Sequence, residues 1–442
     1  MAEHPNIILI NCDDLGYGDV GCYGSELHST PALDRLAAEG MRFTDFYMAA
    51  PVCSPSRAAM MTGCYPQRVG LETGCEIGVL RPGEPIGLSA DETTVAEILQ
   101  RAGYATEIIG KWHCGDQPEF LPTRHGFDHW YGIPYSNDMG ISVHHPEMPP
   151  LPLMRDEEVV QEQPDQTCIT ERYTEEAVRF IRANRQRPFF LYLAHTYVHV
   201  PLYAPERFLQ QSRNGRYGAA VEHIDWTTDV LLQELERLGL ADDTLVIFTS
   251  DNGGAPRHGA SNAPLRGQKA TTWEGGQRVP CIMRWPGVVP AGTTCGEMST
   301  AMDLLPTLAE LAGQAAPTDR IIDGRSILPL MQGRGEQTPH EAFFYYRMHE
   351  LQAVRSGDWK LHLQSTELYN LRDDVAESQN VADANPEVVA RLQELAARCR
   401  EDLGDSLAGV EGKNRRPCGR VDDPQPLTRY SPDHPYMVAM YD

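Results

Sequence analysis

A chain of 442 residues, 41% of them hydrophobic, can bury a large core, and its length fits one large domain plus a smaller one. Its 62 acidic against 38 basic residues give a formal charge of −24, which excludes a protein that wraps nucleic acid; any anion must be met by a local pocket. No apolar run of about 18 residues appears, so no membrane-spanning helix is predicted, and eleven cysteines without CxxC pairs suit a reducing compartment.

In chain order, "NIILIN" (6–11) reads as a buried strand, and "STPALDRLAAEG" (29–40) as a helix capped by Ser29 or Thr30, with Pro31 in its first turn and Gly40 as terminator. "DETTVAEILQRAG" (91–103) is a second helix, closed by Gly103, that feeds the strand "YATEIIG". A helix (174–185), the strand "PFFLYLA" (188–194), a long helix (221–239) and the strand "TLVIFTS" (244–250) follow. This alternation predicts an α/β fold, a large, mixed but mostly parallel sheet sandwiched by helices, over residues 1–335. Residues 115–173 read as long irregular loops over one end of that sheet. From 336 to 442 the texture changes to short antiparallel strands, one helix (385–404) and a Pro-rich tail, a smaller α+β domain. The start, "MAEHPNIILINCDD", shows no signal-peptide pattern, so a cytoplasmic location is expected, or a periplasmic or secreted one if a leader has been trimmed.

Each strongly apolar strand ends in costly polar residues. "NIILIN" runs into Cys12, Asp13 and Asp14; "ATEIIG" into Lys111, Trp112 and His113; "FFLYLA" into His195 and His199; "LVIFTS" into Asp251 and Asn252. In open α/β sheets the ligand crevice lies outside the carboxyl ends of the strands, so these groups should converge. Asp13, Asp14, Asp251 and Asn252 offer only oxygen ligands; three carboxylates in one place need a cation, and a hard one such as Ca²⁺ or Mg²⁺ rather than Zn²⁺. Either pair alone could equally be turn chemistry after a strand. Lys111 and His113, two apart in an extended segment, project together, a point charge beside a proton shuttle. His199 is a candidate acid for a leaving group, with His195 given a structural role, and Lys269 can reach over the crevice from a Gly-flanked loop. Ser136 is the weaker candidate, since Ser in such a loop is usually turn chemistry.

"PVCSPSRAAMMTG" places Cys53 at the mouth of a short helix, whose free N–H groups hold anions and depress a thiol pKa, with Arg57 adding a bidentate fork. A thiolate nucleophile fits those features but not a hard cation.

Cys53-Ser54-Pro55-Ser56-Arg57 with "AAMMTG", and "GYATEIIGKWH" (103–113), resemble the two signatures of the type I sulfatases of the alkaline phosphatase superfamily, in the arylsulfatase A and N-acetylgalactosamine-6-sulfatase branch. The resemblance continues through "DDLGYGDVGCYG", "TSDNGG", "GQKATTWEGG" and "IDGRSILPL" to about residue 335, and "ELYNLRDDVAESQN" resembles the family's C-terminal domain. It implies an alkaline phosphatase-like fold and conversion of Cys53 to formylglycine by a separate formylglycine-generating enzyme. It implies one cation, usually Ca²⁺ with Mg²⁺ as the alternative, on Asp13, Asp14, Asp251, Asn252 and the converted residue 53. One hydroxyl of the hydrated aldehyde, helped by Asp251, would attack the sulfur of a sulfate ester while Lys111 and Lys269 neutralise charge. His199, or Lys269 beside it, would protonate the leaving oxygen, and His113 would take the proton whose loss expels sulfate. Arg57 and Lys111 would orient the diol, with Ser136 near the catalytic histidine. Homo-oligomers are common among relatives, so self-association is admitted.

The expected activity is thus hydrolysis of aryl or carbohydrate sulfates. A phosphonate or phosphate monoester hydrolase of the same superfamily, and a non-catalytic sulfated-glycan binding protein, are the competing readings. Specificity is expected from residues 115–173, where Asn137, Asp138, His144 and His145 could touch a sugar, and from residues 72–81.

Overall fold

The computed structural model describes residues 4–72, 78–335 and 337–438, so the centre of the 72–81 segment lies outside the described residues. The large sheet is built from β1 (Asn6–Cys12), β2 (Met41–Tyr47), β3 (Ala105–Gly110), β4 (His129–Gly132), β5 (Pro152–Arg155), β6 (Glu158–Glu162), β7 (Phe189–Ala194), β8 (Thr244–Ser250), β9 (Arg278–Arg284) and β10 (Thr293–Cys295). Its order is β10-β2-β9-β8-β1-β7-β3-β4-β5-β6. β8, β1, β7, β3 and β4 are mutually parallel, while β9 and the outer β5 and β6 run antiparallel to their neighbours. The central strands are apolar on both faces: Ile7 and Leu9 enter one core, Ile8 and Ile10 the other.

The helices that cover these faces are α1 (Pro31–Ala38), α2 (Cys53–Thr62), α3 (Val95–Arg101), α4 (Ile169–Asn184), α5 (Gly215–Leu238) and α6 (Leu304–Leu311). α3 starts at a capping box in which the Thr94 hydroxyl and the Glu97 carboxylate each take the other's backbone N–H. α1 is capped differently from the sequence expectation. Neither Ser29 nor Thr30 caps it; the Thr30 hydroxyl instead accepts the Gly21 N–H, and Asp225 of α5 accepts the N–H groups of Ala32 and Leu33. Gly40 is not a left-handed terminator either: glycine is needed there because a Cβ would meet the Met283 carbonyl at 2.3 Å.

Residues 115–173 are less irregular than their composition suggests, for they contain β4, β5 and β6, which extend the sheet beyond β3. These strands are only four or five residues long, and the outermost, β6, is largely exposed, so they lack the apolar runs that mark the central ones. Toward the C-terminus a four-stranded antiparallel meander, β11 (Phe343–Arg347), β12 (Glu350–Ser356), β13 (Trp359–His362) and β14 (Glu367–Asn370), packs with α7 (Pro386–Leu403) in a separate apolar cluster that also takes in Tyr47, Ala59 and Tyr65. Among the described residues every cysteine is a free thiol, and no helix is long and apolar enough to cross a membrane.

Candidate active site

The polar residues meet because the strands that carry them are neighbours. β8, β1, β7 and β3 lie side by side and parallel, so Asp251 and Asn252, Asp13 and Asp14, His199, and Lys111 all emerge at one sheet edge. The chain leaves β1 toward β2 on one flank and reaches β3 on the other, the switch point at which such sheets open a crevice. Gly110 lets the β3 end approach β7: its φ is +113° and a Cβ would sit 1.8 Å from the Ala194 carbonyl oxygen. Asp14, His113 and Ala270 hold left-handed backbone without being glycine (φ 63°, 62° and 66°), strain of the kind that gathers at functional sites. Left-handed His113 is therefore not part of an extended stretch, although Trp112 does turn away, into the core against His125 and Phe127.

Cys53 is the first residue of α2 and is fully buried. Its Sγ lies 3.4 Å from Asp13 Oδ1 and 3.6 Å from Lys269 Nζ. Burial, then the Asp13 charge, pushes its thiol well above the ordinary range, so the helix terminus does not yield a thiolate here. Asp13 is held far below the usual carboxylate range: burial opposes this, but Lys111, His199, Arg57 and Lys269 outweigh it. Lys111 Nζ donates to Asp13 Oδ2 at 2.5 Å and to Ser136 Oγ at 2.6 Å. Lys269 Nζ donates to Asp14 at 2.7 Å, and His199 Nε2 stands 3.8 Å from the same carboxylate. Arg57 Nε donates to Asp251 Oδ2 at 2.8 Å and its Nη1 to the Lys111 carbonyl at 2.8 Å.

Asp13, Asp14, Cys53 and His199 present ligand atoms within 4.8 Å of one another. Asp251 stands beside them but faces Arg57, and burial followed by the Asp13 charge raises its pKa to about 6. Asn252 Nδ2 donates to Asp14 Oδ1 at 2.7 Å, while its side-chain carbonyl oxygen, Oδ1, is buried with no hydrogen-bond partner. An orphaned carbonyl next to three carboxylates is what a hard cation would complete, so the donor set fits one. The sulfur of Cys53 and the imidazole nitrogen of His199 are the donors in that group that do not.

Two histidines have settled tautomers. His113 gives its Nε2 to the Leu80 carbonyl at 2.9 Å, leaving Nδ1 buried and without a partner; burial, then Lys111, lowers its pKa well below the ordinary value. A neutral imidazole with a bare nitrogen can accept a proton. His199 gives Nδ1 to the Val200 carbonyl at 2.6 Å, so Nε2 is the free face. A cavity of 260 Å³ opens over Cys53, His113, Ser136, His199 and Lys269.

Of the residues read from sequence, Asp13, Asp14, Cys53, Arg57, Lys111, His113, Ser136, His199, Asp251, Asn252 and Lys269 all gather within this one network or cavity. His195 is buried with both ring nitrogens unpartnered. Asp138 lines the cavity, whereas Asn137 is buried on Gln166 and the Pro201 carbonyl, and His144 and His145 are exposed, the latter paired with Glu147. The sequence reading overlooked Arg257, which lines the cavity from "APRHG", and Leu80, whose role lies in a backbone carbonyl that no side-chain pattern reveals.

The sulfatase family profile matches residues 5–314, and a profile described as N-sulphoglucosamine sulphohydrolase, C-terminal, matches residues 268–402. N-acetylgalactosamine-6-sulfatase of Homo sapiens is 43% identical over 408 residues, covering 86% of this chain and 76% of the relative. Steryl-sulfatase of Homo sapiens is 38% identical over 431 residues, covering 80% and 74%. The crystal structure of PsFucS1 sulfatase from Pseudoalteromonas sp. superposes with a TM-score of 0.80 at 26% identity, covering 89% of each chain.

Proposed function

The chain belongs to the sulfatase family and hydrolyses sulfate esters, and from that premise we propose that it acts on the sulfate monoester of a saccharide through a formylglycine made from Cys53. In the same reading one divalent cation, calcium by donor chemistry, sits on Asp13, Asp14, Asp251 and Asn252. The observation that carries the proposal is the Cys53 thiol itself, kept protonated by burial and the Asp13 charge in spite of Lys111 and Lys269, and set among oxygen donors suited to a hard cation rather than to sulfur. Residue 53 then enters the site as a precursor, matured by a separate enzyme. As hydrated formylglycine it would supply two hydroxyls on one carbon, one to attack sulfur and one whose proton loss restores the aldehyde, while the cation would supply Lewis acidity at the sulfuryl oxygens.

The chain's own residues have separable tasks. Lys111 and Lys269, both within reach of residue 53 or of Asp13 beside it, neutralise charge on the sulfuryl group. Arg57 fixes the carboxylate of Asp251, which near neutral pH is a base able to take a proton from the attacking hydroxyl. His199, anchored through Nδ1–H, turns Nε2 into the cavity, and its imidazolium form carries there the proton that passes to the departing sugar oxygen. His113, anchored through Nε2, keeps Nδ1 open for the proton whose removal frees sulfate. Ser136 accepts a second hydrogen bond from the Lys111 ammonium and so holds it in place beside Asp13. The net reaction consumes one water and yields the alcohol and sulfate.

The similarity to N-acetylgalactosamine-6-sulfatase supports a sugar rather than a sterol as the alcohol. Turnover of matched sulfate, phosphate and phosphonate monoesters tests the proposal: sulfate esters are expected to be cleaved fastest, and a faster phosphonate or phosphate would overturn it.

A further inference from the structure

The Pro-rich tail that follows α7 is tied down along its length. Arg416 anchors its start, with Nε and Nη2 on the two oxygens of Glu92 at 2.6 and 2.9 Å and its backbone N–H on the Arg68 carbonyl. Gly419 and Arg420 then pair antiparallel with Gly87 and Ile86, and the Val421 N–H bonds the Pro85 carbonyl at 2.9 Å. Farther on, the Gln117 side chain grips the Gln425 backbone twice, donating from Nε2 to its carbonyl at 3.0 Å and accepting its N–H on Oε1 at 2.9 Å. Thr428 is buried with its hydroxyl on the Pro150 carbonyl, and Tyr436 donates to Glu162 at the end of β6. Residues 416–436 thus form a strap over the 85–87 and 117–120 segments, and both segments stand beside His113: the Leu88 N–H bonds the Cys114 carbonyl at 2.8 Å.

Two routes lead from the strap to His113. The first is steric, because the Phe120 side chain is caught among three glycines: a Cβ at Gly87, Gly115 or Gly419 would meet it at 2.4, 2.6 and 2.5 Å. So close a fit passes on any displacement. The Phe120 carbonyl accepts the Trp112 indole N–H at 2.8 Å, and Trp112 directly precedes His113. The second route runs through the 80–88 segment, which the strap holds at Pro85 to Gly87 and whose Leu80 carbonyl lies 2.9 Å from His113 Nε2. Among the described residues that carbonyl is the one hydrogen-bond partner of the His113 ring, and the residue keeps a left-handed backbone (φ 62°) that persists only where its surroundings over-determine it. Lys111 is pinned separately, by Asp13, by Ser136 and by its own N–H on the Ala194 carbonyl.

We propose that Gly419 and Gln117 are positioning residues for His113: the strap that they seat holds the imidazole where it takes the proton whose removal frees sulfate, so the C-terminal tail governs release of sulfate rather than cleavage of the ester. This rests on the reading of His113 as the group that frees sulfate. A base some 15 residues of loop away from the strap is sensitive to it because proton transfer needs hydrogen-bond reach, and a shift of about 1 Å from a remote change can cost about 100-fold.

Rapid mixing of formylglycine-bearing enzyme with an aryl sulfate reads the two steps apart, ester cleavage as a burst of phenol and sulfate release as the steady rate. Gly419→Ala pushes a methyl into Phe120, and Gln117→Met keeps the side-chain length but lets go of the Gln425 backbone. Both variants are expected to keep a full burst and a kcat/KM within about twofold of the wild type, while kcat falls by about tenfold or more, a split that a merely unstable enzyme does not show. Adding Phe120→Leu should restore most of the kcat lost in Gly419→Ala, because leucine lacks the ring atom that the new methyl meets. A steady rate within about twofold of the wild type in both single variants would overturn the proposal, as would kcat and kcat/KM falling together in both or no recovery on adding Phe120→Leu. His113→Ala separates the two readings. No burst in that variant would overturn the role of His113 and the strap's role with it, whereas a burst there beside strap variants that match the wild type would overturn the strap's role alone.

Discussion

Lys269 Nζ stands 2.7 Å from the Asp14 carboxylate and 3.6 Å from Cys53 Sγ, so one ammonium bridges the metal-type acids and the residue that becomes the nucleophile. Lys269 reaches that point from a loop, since its backbone N–H bonds the Gly254 carbonyl and Ala270 bonds that of Pro51. Lys269→Met keeps the length of the side chain and removes the charge. Steady-state kinetics on an aryl sulfate should show kcat/KM lowered by about 100-fold or more, the scale of one preorganised charge-stabilising group; a loss under about threefold would remove Lys269 from the chemistry.

His113 should act late. If its open Nδ1 takes the proton that frees sulfate, His113→Ala will still release the first alcohol. Rapid mixing should then show a burst of about one alcohol per active site followed by slow turnover. A slow first turnover without a burst would assign His113 to bond cleavage instead.

The carboxylate cluster predicts a stabilising cation. Asp251 is raised to about 6 by burial and then by Asp13, a cost that a cation shared by these acids would relieve. Thermal melts should therefore shift upward with Ca²⁺ and return with a chelator, and Asp14→Asn should weaken the shift. Identical melts with and without the cation would contradict the donor set.

Glu107 gives a pH dependence away from the site. It is buried on β3, and burial, with Glu176 second, raises its pKa to about 8. A carboxyl raised on folding contributes stability that is complete below its unfolded value near 4.5 and is lost as pH rises through about 8. Glu107→Gln should melt with the wild type at pH 5 and a few degrees above it at pH 9, which a pair of melting series would check.

The C-terminal meander steadies the Lys269 loop through buried charge. Lys360 Nζ lies 3.0 Å from Glu274 Oε1 and 2.9 Å from Glu377 Oε1, and Glu377 also accepts the Glu274 N–H at 2.8 Å. Lys360→Met removes the cation shared by two buried carboxylates, leaving Glu274 to Arg278 and Glu377 to His362, and should cost about 3 kcal/mol in denaturant unfolding, the lower end for a broken buried pair. A loss below about 1 kcal/mol would mean that water or rearrangement replaces the lysine.

Much of the site was legible because the central strands are long apolar runs with abrupt polar ends, and a parallel sheet brings such ends together. Asp13, Lys111, His199 and Asp251 could be grouped on that ground before any coordinates. The short strands β4 to β6 were not legible, since strands of four or five residues leave no period to read. The α1 cap escaped because its partner, Asp225, is 192 residues away from Leu33. Physical reasoning from the helix mouth alone also made Cys53 a thiolate; burial against Asp13 reverses that, and only the folded chain displays it.

The central claim is that Cys53 is a precursor, and the direct measurement is mass spectrometry of the peptide spanning residue 53, on samples expressed with graded amounts of a formylglycine-generating enzyme, alongside sulfatase activity. The account predicts an aldehyde at residue 53 whose fraction sets the activity in proportion, with none from the unconverted thiol. Full activity from protein whose residue 53 is entirely cysteine would contradict it.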